Sequence, residues 1–524
     1  MRTPILIWVG ISLAAGLSAR QATAEPPRPV PVQNHSPPQP KPGRYTEHFD
    51  QGVLSDLVGR GQMEDAVEMA FEKGDGFFDN LFLADSVFGA GANVGHGQRF
   101  TRVPRADLRG PGEWANHVPA RATGPNAASC LECHTVPEHD GSGLASANAI
   151  RDPLHSGNPA LFISRNTPHL FGMGAVQLLA EEMTDDLQAI LAQAKHEACG
   201  DGAPSRGSPV RKNLLSKGID YGWITVQESA AGSRSRCNVR AGEIRGLDSD
   251  LVVKPFQWKG VVPTIRAFNR DAAYNEVGLE SVELVGEGVD GDGDGVTDEV
   301  SVGDLTALTV YVAGQPRPTT KQEMAYWEII PQLSPGENQA ISRGARTFER
   351  VGCAVCHVPE MKLKNSVFSE PSQSPYFREL LLPDGEKAVA KGIDPAKAIR
   401  FDLTHDVIGD FKIGLFQKDE AGMTRVQLFG DLQRHDLGAE DSESIDETGD
   451  GMSTWMTRNL WGMGSTAPYM HDGRATTMGQ AIDSHGGEGA ASRAMYYGLS
   501  TQEKDDLEKF LLNLRLFKPV DDDS

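Results

Sequence analysis

Apolar residues recur at three- and four-residue intervals in several windows of the chain, and those windows predict its helices. The clearest runs from about Ala175 to Ala198, where Val176, Leu179, Met183, Leu187, Ile190 and Leu191 share one face. Another, from Thr501 to Leu514, places Leu507, Phe510, Leu511 and Leu514 together. Further helices are expected over 54–88, closed by the turn Gly89-Ala90-Gly91, within 256–284, over Leu305–Val312 and over 335–350. Elsewhere the pattern changes. Residues 205–255 read as a β-rich or irregular insertion with Tyr221–Val226 as the best strand, and 365–450 as a long, polar, glycine-rich insertion.

The N-terminus follows a different rule. Arg2, an apolar run from Ile5 to Leu17 and the small residues Ala22-Thr23-Ala24 have the order of a cleavable secretory leader, so residues 1–24 are expected to be removed and the mature chain to be periplasmic. The run is too short to span a bilayer comfortably, and no membrane span is expected in the mature form. Residues 25–43, rich in proline, read as an extended tether, and 519–524 as an acidic tail. The formal charge of the 524-residue chain is -22, and the leader carries Arg2 and Arg20 with no acid, so the mature form is two units more negative. That charge argues against nucleic acid and anionic membrane surfaces as partners.

The six cysteines carry the chemistry. Four fall in two copies of one motif, Cys130-Leu131-Glu132-Cys133-His134 and Cys353-Ala354-Val355-Cys356-His357. Cys-x-x-Cys-His is the attachment pattern for haem c: one helical turn offers two thiols for thioether bonds, and the next residue offers an imidazole to the iron. A zinc half-site or a thioredoxin-like redox pair uses the same Cys-x-x-Cys spacing, but neither copy has a second such pair nearby. Two covalent haems are expected, with iron on His134 and His357. Cys199 and Cys237 remain, and in an oxidising compartment a disulfide is the default, with two unpaired thiols as the alternative. With Gly314–Pro318 as the boundary, the expected units are an N-terminal haem domain over 44–318 and a C-terminal cytochrome c domain over 319–518. The expected fold class is mainly α, with two cytochrome c-like haem domains and irregular or β insertions.

A second motif is acidic. Asp290-Gly291-Asp292-Gly293-Asp294-Gly295 has the opening of a calcium loop, with Val296 offering a carbonyl and Asp298 a water-bridged ligand. The twelfth position is Ser301, so Glu299 or Asp304 would have to supply the bidentate carboxylate. One calcium ion is expected here.

The run APYMHDGRATTMGQAIDSHGGE, together with RATGPNAASCLECH, RNTPHLFGMG, FQWKG, GCAVCHVPEM and NLWGMG, resembles the di-haem oxidoreductase family, related to bacterial di-haem cytochrome c peroxidases. In those peroxidases a methionine one short helix beyond the HDG-type histidine ligates the electron-transfer haem. His485 stands at that offset here, so the resemblance implies His357 and His485 as the axial pair of the second haem, with Met470, Met478 and His471 behind it. For the first haem His155, His169 and Met173 are candidates for the distal side, which is expected to be open or exchangeable. Relatives carry a glutamate where this chain has Gln177, and Glu181 and Glu182 stand close enough in sequence to replace it as proton donors. Trp258 corresponds to an aromatic bridge between the haems.

The implied activity is oxidoreduction. The second haem would relay electrons from a soluble cytochrome or cupredoxin, and the first would react with peroxide or a related small oxidant. Two alternatives stay open: a haem dioxygenase of the latex-cleaving type, and a non-catalytic electron carrier.

Overall fold

The computed structural model describes residues 45, 47–82, 126–151, 154, 158–201, 208–229, 236–291, 296–405 and 413–518. The leader, the tether, the Gly89–Gly91 turn, His155, Asp292, Asp294 and the acidic tail lie outside the described residues.

The helices used below are α1 (Gln51–Gly59), α2 (Met63–Asp79), α3 (Met173–Cys199), α4 (Ile265–Ala272), α5 (Val302–Ala313), α6 (Pro335–Arg350), α7 (Met478–Asp483), α8 (Ala490–Tyr497) and α9 (Thr501–Leu511). Their ends follow capping chemistry. Ser301 and Ser500 close capping boxes with Asp304 and Glu503, and Ser334 caps α6 ahead of Pro335 at its first position. The expected single helix over 54–88 is two, because Gly61 adopts φ 79° between α1 and α2. The predicted insertion at 205–255 is an antiparallel three-stranded sheet of Val210–Ser216, Ile219–Glu228 and Cys237–Ile244. Cys237, at the start of its last strand, is disulfide-bonded to Cys199 at the end of α3, with Cα atoms 6.0 Å apart.

The fold class is mixed rather than mainly α. Besides that sheet, the polar insertion folds into small antiparallel sheets, among them Val367–Glu370 against Ile399–Asp402. Its glycines and short apolar runs give no helical period, yet it buries real hydrophobic surface. Phe368, Phe401, Leu403, Phe416, Val426 and Leu428 join the core built by α2, α3 and α5. A smaller core of Ile341, Phe348, Met478, Leu507, Phe510 and Leu511 lies between α6, α7 and α9. The larger core therefore draws residues from both sides of Gly314–Pro318.

Two helix crossings repeat one design. At Gly74 of α2 a Cβ would strike the Ala307 carbonyl and the Tyr311 side chain of α5. At Gly344 of α6 it would strike the Asp506 carbonyl and the Phe510 side chain of α9. In each pair glycine lets two backbones approach, and an aromatic four residues after the struck carbonyl packs beside the crossing. Each glycine-bearing helix precedes one Cys-x-x-Cys-His motif in the chain. No helix among the described residues is long and apolar enough to cross a membrane.

Candidate haem sites

Both Cys-x-x-Cys-His motifs fold as single 3-10 turns, Cys130–Glu132 and Cys353–Val355, rather than as α-helix. Each begins after a fixed stop: Ser129 caps the first, and Gly352, at φ 86°, ends the approach from α6 to the second. The histidine that follows is held alike in both. His134 Nδ1 lies 2.9 Å from the Gly141 carbonyl, and His357 Nδ1 lies 3.2 Å from the Phe429 carbonyl. An imidazole donating from Nδ1 to a carbonyl keeps Nε2 as its lone-pair nitrogen, the arrangement metal-bound histidines adopt. Burial drives both rings toward the neutral form, His134 to about 4 and His357 to about 3, the latter aided by His485.

The motifs open onto separate cavities. Cys353, Cys356 and His357 line one of about 430 Å³, and Cys130, Cys133 and His134 line one of about 790 Å³. Both volumes lie in the range of cofactor sites. Trp258 and the segment Asn166–Pro168 line both, so they form a shared wall. Trp258 Nε1 donates to the Asn166 carbonyl at 2.8 Å, and the Arg458 guanidinium lies 4.6 Å from its ring centre.

In the second cavity His485 faces His357, with ring centres 6.2 Å apart. Two imidazoles on opposite sides of one metal ion, each at about 2 Å from metal to nitrogen, put their ring centres a little over about 6 Å apart. His485 Nδ1 is bound to the Ala481 carbonyl at 2.7 Å, one turn back at the end of α7, so its Nε2 is spare as well. Met470 and Met478 also line this cavity, but His471 does not: it stacks on Trp455 with ring centres 4.0 Å apart. The residues present thus fit a porphyrin held between two imidazoles.

The first cavity differs. Among the described residues that line it, His134 supplies the lone imidazole, and no methionine is present. His169 and Met173 line the second cavity instead, and His169 Nε2 is bound to the Trp461 carbonyl at 3.1 Å. Nor do Gln177, Glu181 or Glu182 line either cavity. Gln177 is spent structurally: its carbonyl accepts from the Ile265 amide at the start of α4 at 2.8 Å, and its amide donates to Glu181 at 2.9 Å. The amide side chain fills both roles at once, accepting from Ile265 and donating to Glu181, which an ionised glutamate cannot do. Burial raises Glu181 to about 7 on this packed face, while Glu182 pairs with Lys217. The carboxylates that do line the first cavity are Asp271, Glu276 and Glu447. Asp271 and Glu276 come from α4 and the π-helical turn Ala273–Val277 after it, where no sequence motif drew attention. Burial raises Asp271, although Arg151 opposes this and Gln257 binds it at 2.5 Å.

The loop carrying His134 is pinned from beneath. Asp140, buried and at φ 62°, accepts from Tyr311 Oη at 2.7 Å and Lys518 Nζ at 2.6 Å, and pairs with His139 at 2.9 Å. Burial alone would raise its carboxyl, but Lys518 and His139 outweigh this and hold it below the ordinary range. The folded value thus lies below the unfolded value of about 4, so the stabilisation is present above about pH 4 and fades as pH falls beneath it. Asp140→Asn should cost about 3 kcal/mol at neutral pH and flatten this acid-dependent limb. Urea melts between pH 3 and 7 read both effects. An unchanged limb would remove the ion pair from the account.

Of the acidic loop, Asp290, Val296 and Asp298 are described, and Asp298 Oδ1 accepts from the Gly288 amide at 2.7 Å. Asp304 is not free to serve as a calcium ligand. It closes the capping box of α5 and binds Tyr45 Oη, the Phe49 amide and His48 Nδ1 at 2.6–2.7 Å.

Residues 399–514 match the family described as di-haem oxidoreductase, putative peroxidase. The resemblance read from the motifs holds over that stretch, which includes His485, and the class it supports is a haem-dependent oxidoreductase. Two solved structures overlap the fold weakly. One is a MauG-like protein associated with microbial copper homeostasis, at 18% identity, covering 49% of this chain and 68% of that one, with a TM-score of 0.25. The other is a hydrazine synthase of Kuenenia stuttgartiensis, at 15% identity, covering 64% and 87%, with a TM-score of 0.24. Overlaps this small carry no argument about function. No curated protein matches the chain.

Proposed function

We propose that the protein is an exported, periplasmic di-haem c-type oxidoreductase. Its C-terminal haem, on Cys353, Cys356, His357 and His485, relays electrons from a soluble cytochrome or cupredoxin. Its N-terminal haem, on Cys130, Cys133 and His134, meets peroxide or a related oxidant. What supports this division is the contrast between the cavities: two imidazoles facing each other in one, a single imidazole in the other. A haem with two strong protein ligands transfers electrons, and one with an open side binds small oxidants. A calcium ion on Asp290, Asp292, Asp294, Val296 and Asp298 belongs to the same proposal, in a structural role.

Bound porphyrin iron would supply electron storage and the site where oxidant is reduced. The protein's own part is positioning and proton supply. Reducing one hydrogen peroxide to two waters takes two electrons and two protons. Trp258 stands on the wall through which the electrons pass. Asp271, with its carboxyl raised by burial, can hold a proton inside the first cavity. His134, fixed through Nδ1, keeps a strong donor nitrogen on the proximal side.

The test is the reduced holoprotein with carbon monoxide, followed by turnover of hydrogen peroxide with a reduced donor. One haem should bind carbon monoxide and the other refuse it, and peroxide should be consumed far faster than by free haem. Two inert haems would leave an electron carrier. The apolar lining of the first cavity, with Phe77, Val262, Phe268 and Leu308, favours a second reading, dioxygen insertion into an apolar alkene. Oxygen uptake dependent on a polyisoprene-type substrate, without peroxide turnover, would select it.

A further inference from the structure

Arg458 departs from the charge pairing that the buried guanidinium groups of Arg165, Arg266, Arg270 and Arg434 share. Arg165 pairs with Glu443 and Glu447, Arg266 with Glu283 and Glu370, Arg270 with Glu283 and Glu379, and Arg434 with Asp248 and Asp450. Arg458 has no carboxylate beside it among the described residues. Its neighbours are uncharged: the Trp258 ring below it, and His169, which burial and Arg458 itself hold neutral. A guanidinium facing a largely apolar cavity without an anion is unfavourable, so the site suits an anion that the polypeptide does not provide.

The location identifies that anion. Arg458 lines the cavity of Cys353, Cys356, His357 and His485 and not the cavity of His134. Near Cys356 the same cavity is lined by His435, which sits between Asp431 and Glu488 at 2.8 and 2.9 Å. A haem c is stitched to its cysteines along its vinyl edge and carries two carboxylates on the opposite edge. We infer that Arg458 binds a propionate carboxylate of the second porphyrin, on the wall shared with Trp258. This rests on the di-haem reading above. The fork of a guanidinium matches a carboxylate in two parallel hydrogen bonds. The ion pair would offset the cation that otherwise bears on the Trp258 ring, on the route between the porphyrins.

A cation beside a haem favours its reduced form, so removing it lowers the midpoint potential. Arg458→Met in the full holoprotein should lower the midpoint of the low-spin haem by the equivalent of about a tenfold change in its redox equilibrium, which is about 59 mV for one electron. Arg458→Lys keeps charge without the fork and should recover most of the shift; Arg458→Gln, which removes the charge but keeps polar atoms, serves should the methionine variant not fold. Intact mass reports porphyrin content and spectroelectrochemistry the midpoint. Two attached porphyrins with an unshifted midpoint in Arg458→Met, or in Arg458→Gln should the methionine variant not fold, would overturn the assignment of Arg458 alone. Fewer than two porphyrins in the parent protein would overturn the di-haem reading as well.

Discussion

Replacing His485 with alanine is expected to strip the second haem of its low-spin spectrum and to let it bind carbon monoxide when reduced. The reason is geometric. His485 lies at the end of α7, its Nδ1 fixed by the Ala481 carbonyl and its ring centre 6.2 Å from that of His357. Alanine removes the imidazole that faces His357, the sixth ligand of the proposed haem. Met470 and Met478 line the same cavity, but Met478 is buried in the core of α6, α7 and α9, and its thioether is committed to packing. Electron delivery should fall with the change of ligation, lowering turnover at least about tenfold, since altering even the partners of a metal ligand costs about that much. His485→Met tests the same point from the other side. A methionine that reached the iron would keep the low-spin state and raise the potential. A second-haem spectrum indifferent to both substitutions would remove His485 from the axial pair.

The largest loss of stability is expected from Arg266→Met. Arg266 is buried in α4 and binds Glu283, itself wholly buried, through Nε at 3.0 Å and through Nη2. It also binds Glu370 at 2.8 Å and the Thr306 hydroxyl at 2.9 Å through Nη1. One guanidinium thus joins α4, the turn at Glu283, α5 and the insertion strand ending at Glu370. Methionine keeps the volume and leaves two carboxylates with less positive charge to face. Breaking a buried pair in this way costs about 3–5 kcal/mol. Arg270, next on the same face, lines the first cavity and holds Glu283 and Glu379 at 2.8 and 2.6 Å. The damage should therefore reach the first haem, and carbon monoxide binding there should become heterogeneous. Adding Glu283→Gln and Glu370→Gln should return part of the stability by removing the stranded charges. A denaturation midpoint unchanged in Arg266→Met would show that the network contributes nothing net.

Local chemistry was legible in the chain where it repeats at fixed spacing. The periodic windows 175–198 and 335–350 became α3 and α6 almost residue for residue. The strand at 221–226 sits inside Ile219–Glu228. The window 54–88 holds two helices rather than one because a left-handed glycine, Gly61, interrupts an otherwise continuous apolar pattern. The insertion at 365–450 was read as polar and irregular because its buried residues come in runs too short to show a period. Only long-range packing reveals that Phe368, Phe401 and Phe416 belong to the core of α2, α3 and α5.

The sequence by itself determined the two Cys-x-x-Cys-His motifs, because those depend on neighbours a few positions apart, whereas the pairing of His485 with His357 rests on the resemblance to the di-haem oxidoreductase family. It could not decide which side chains face which cavity. Gln177 stands at a family position, yet it binds the start of α4, Glu181 accepts from Gln177, and Glu182 binds Lys217 and the amides of Lys364 and Asn365, while His169 and Met173 line the second cavity rather than the first. Asp271, Glu276 and the unpaired Arg458 reach the cavity walls from segments far apart in the chain. Such placements are set by how helices and insertions pack over distances of hundreds of residues, and only the tertiary structure fixes them.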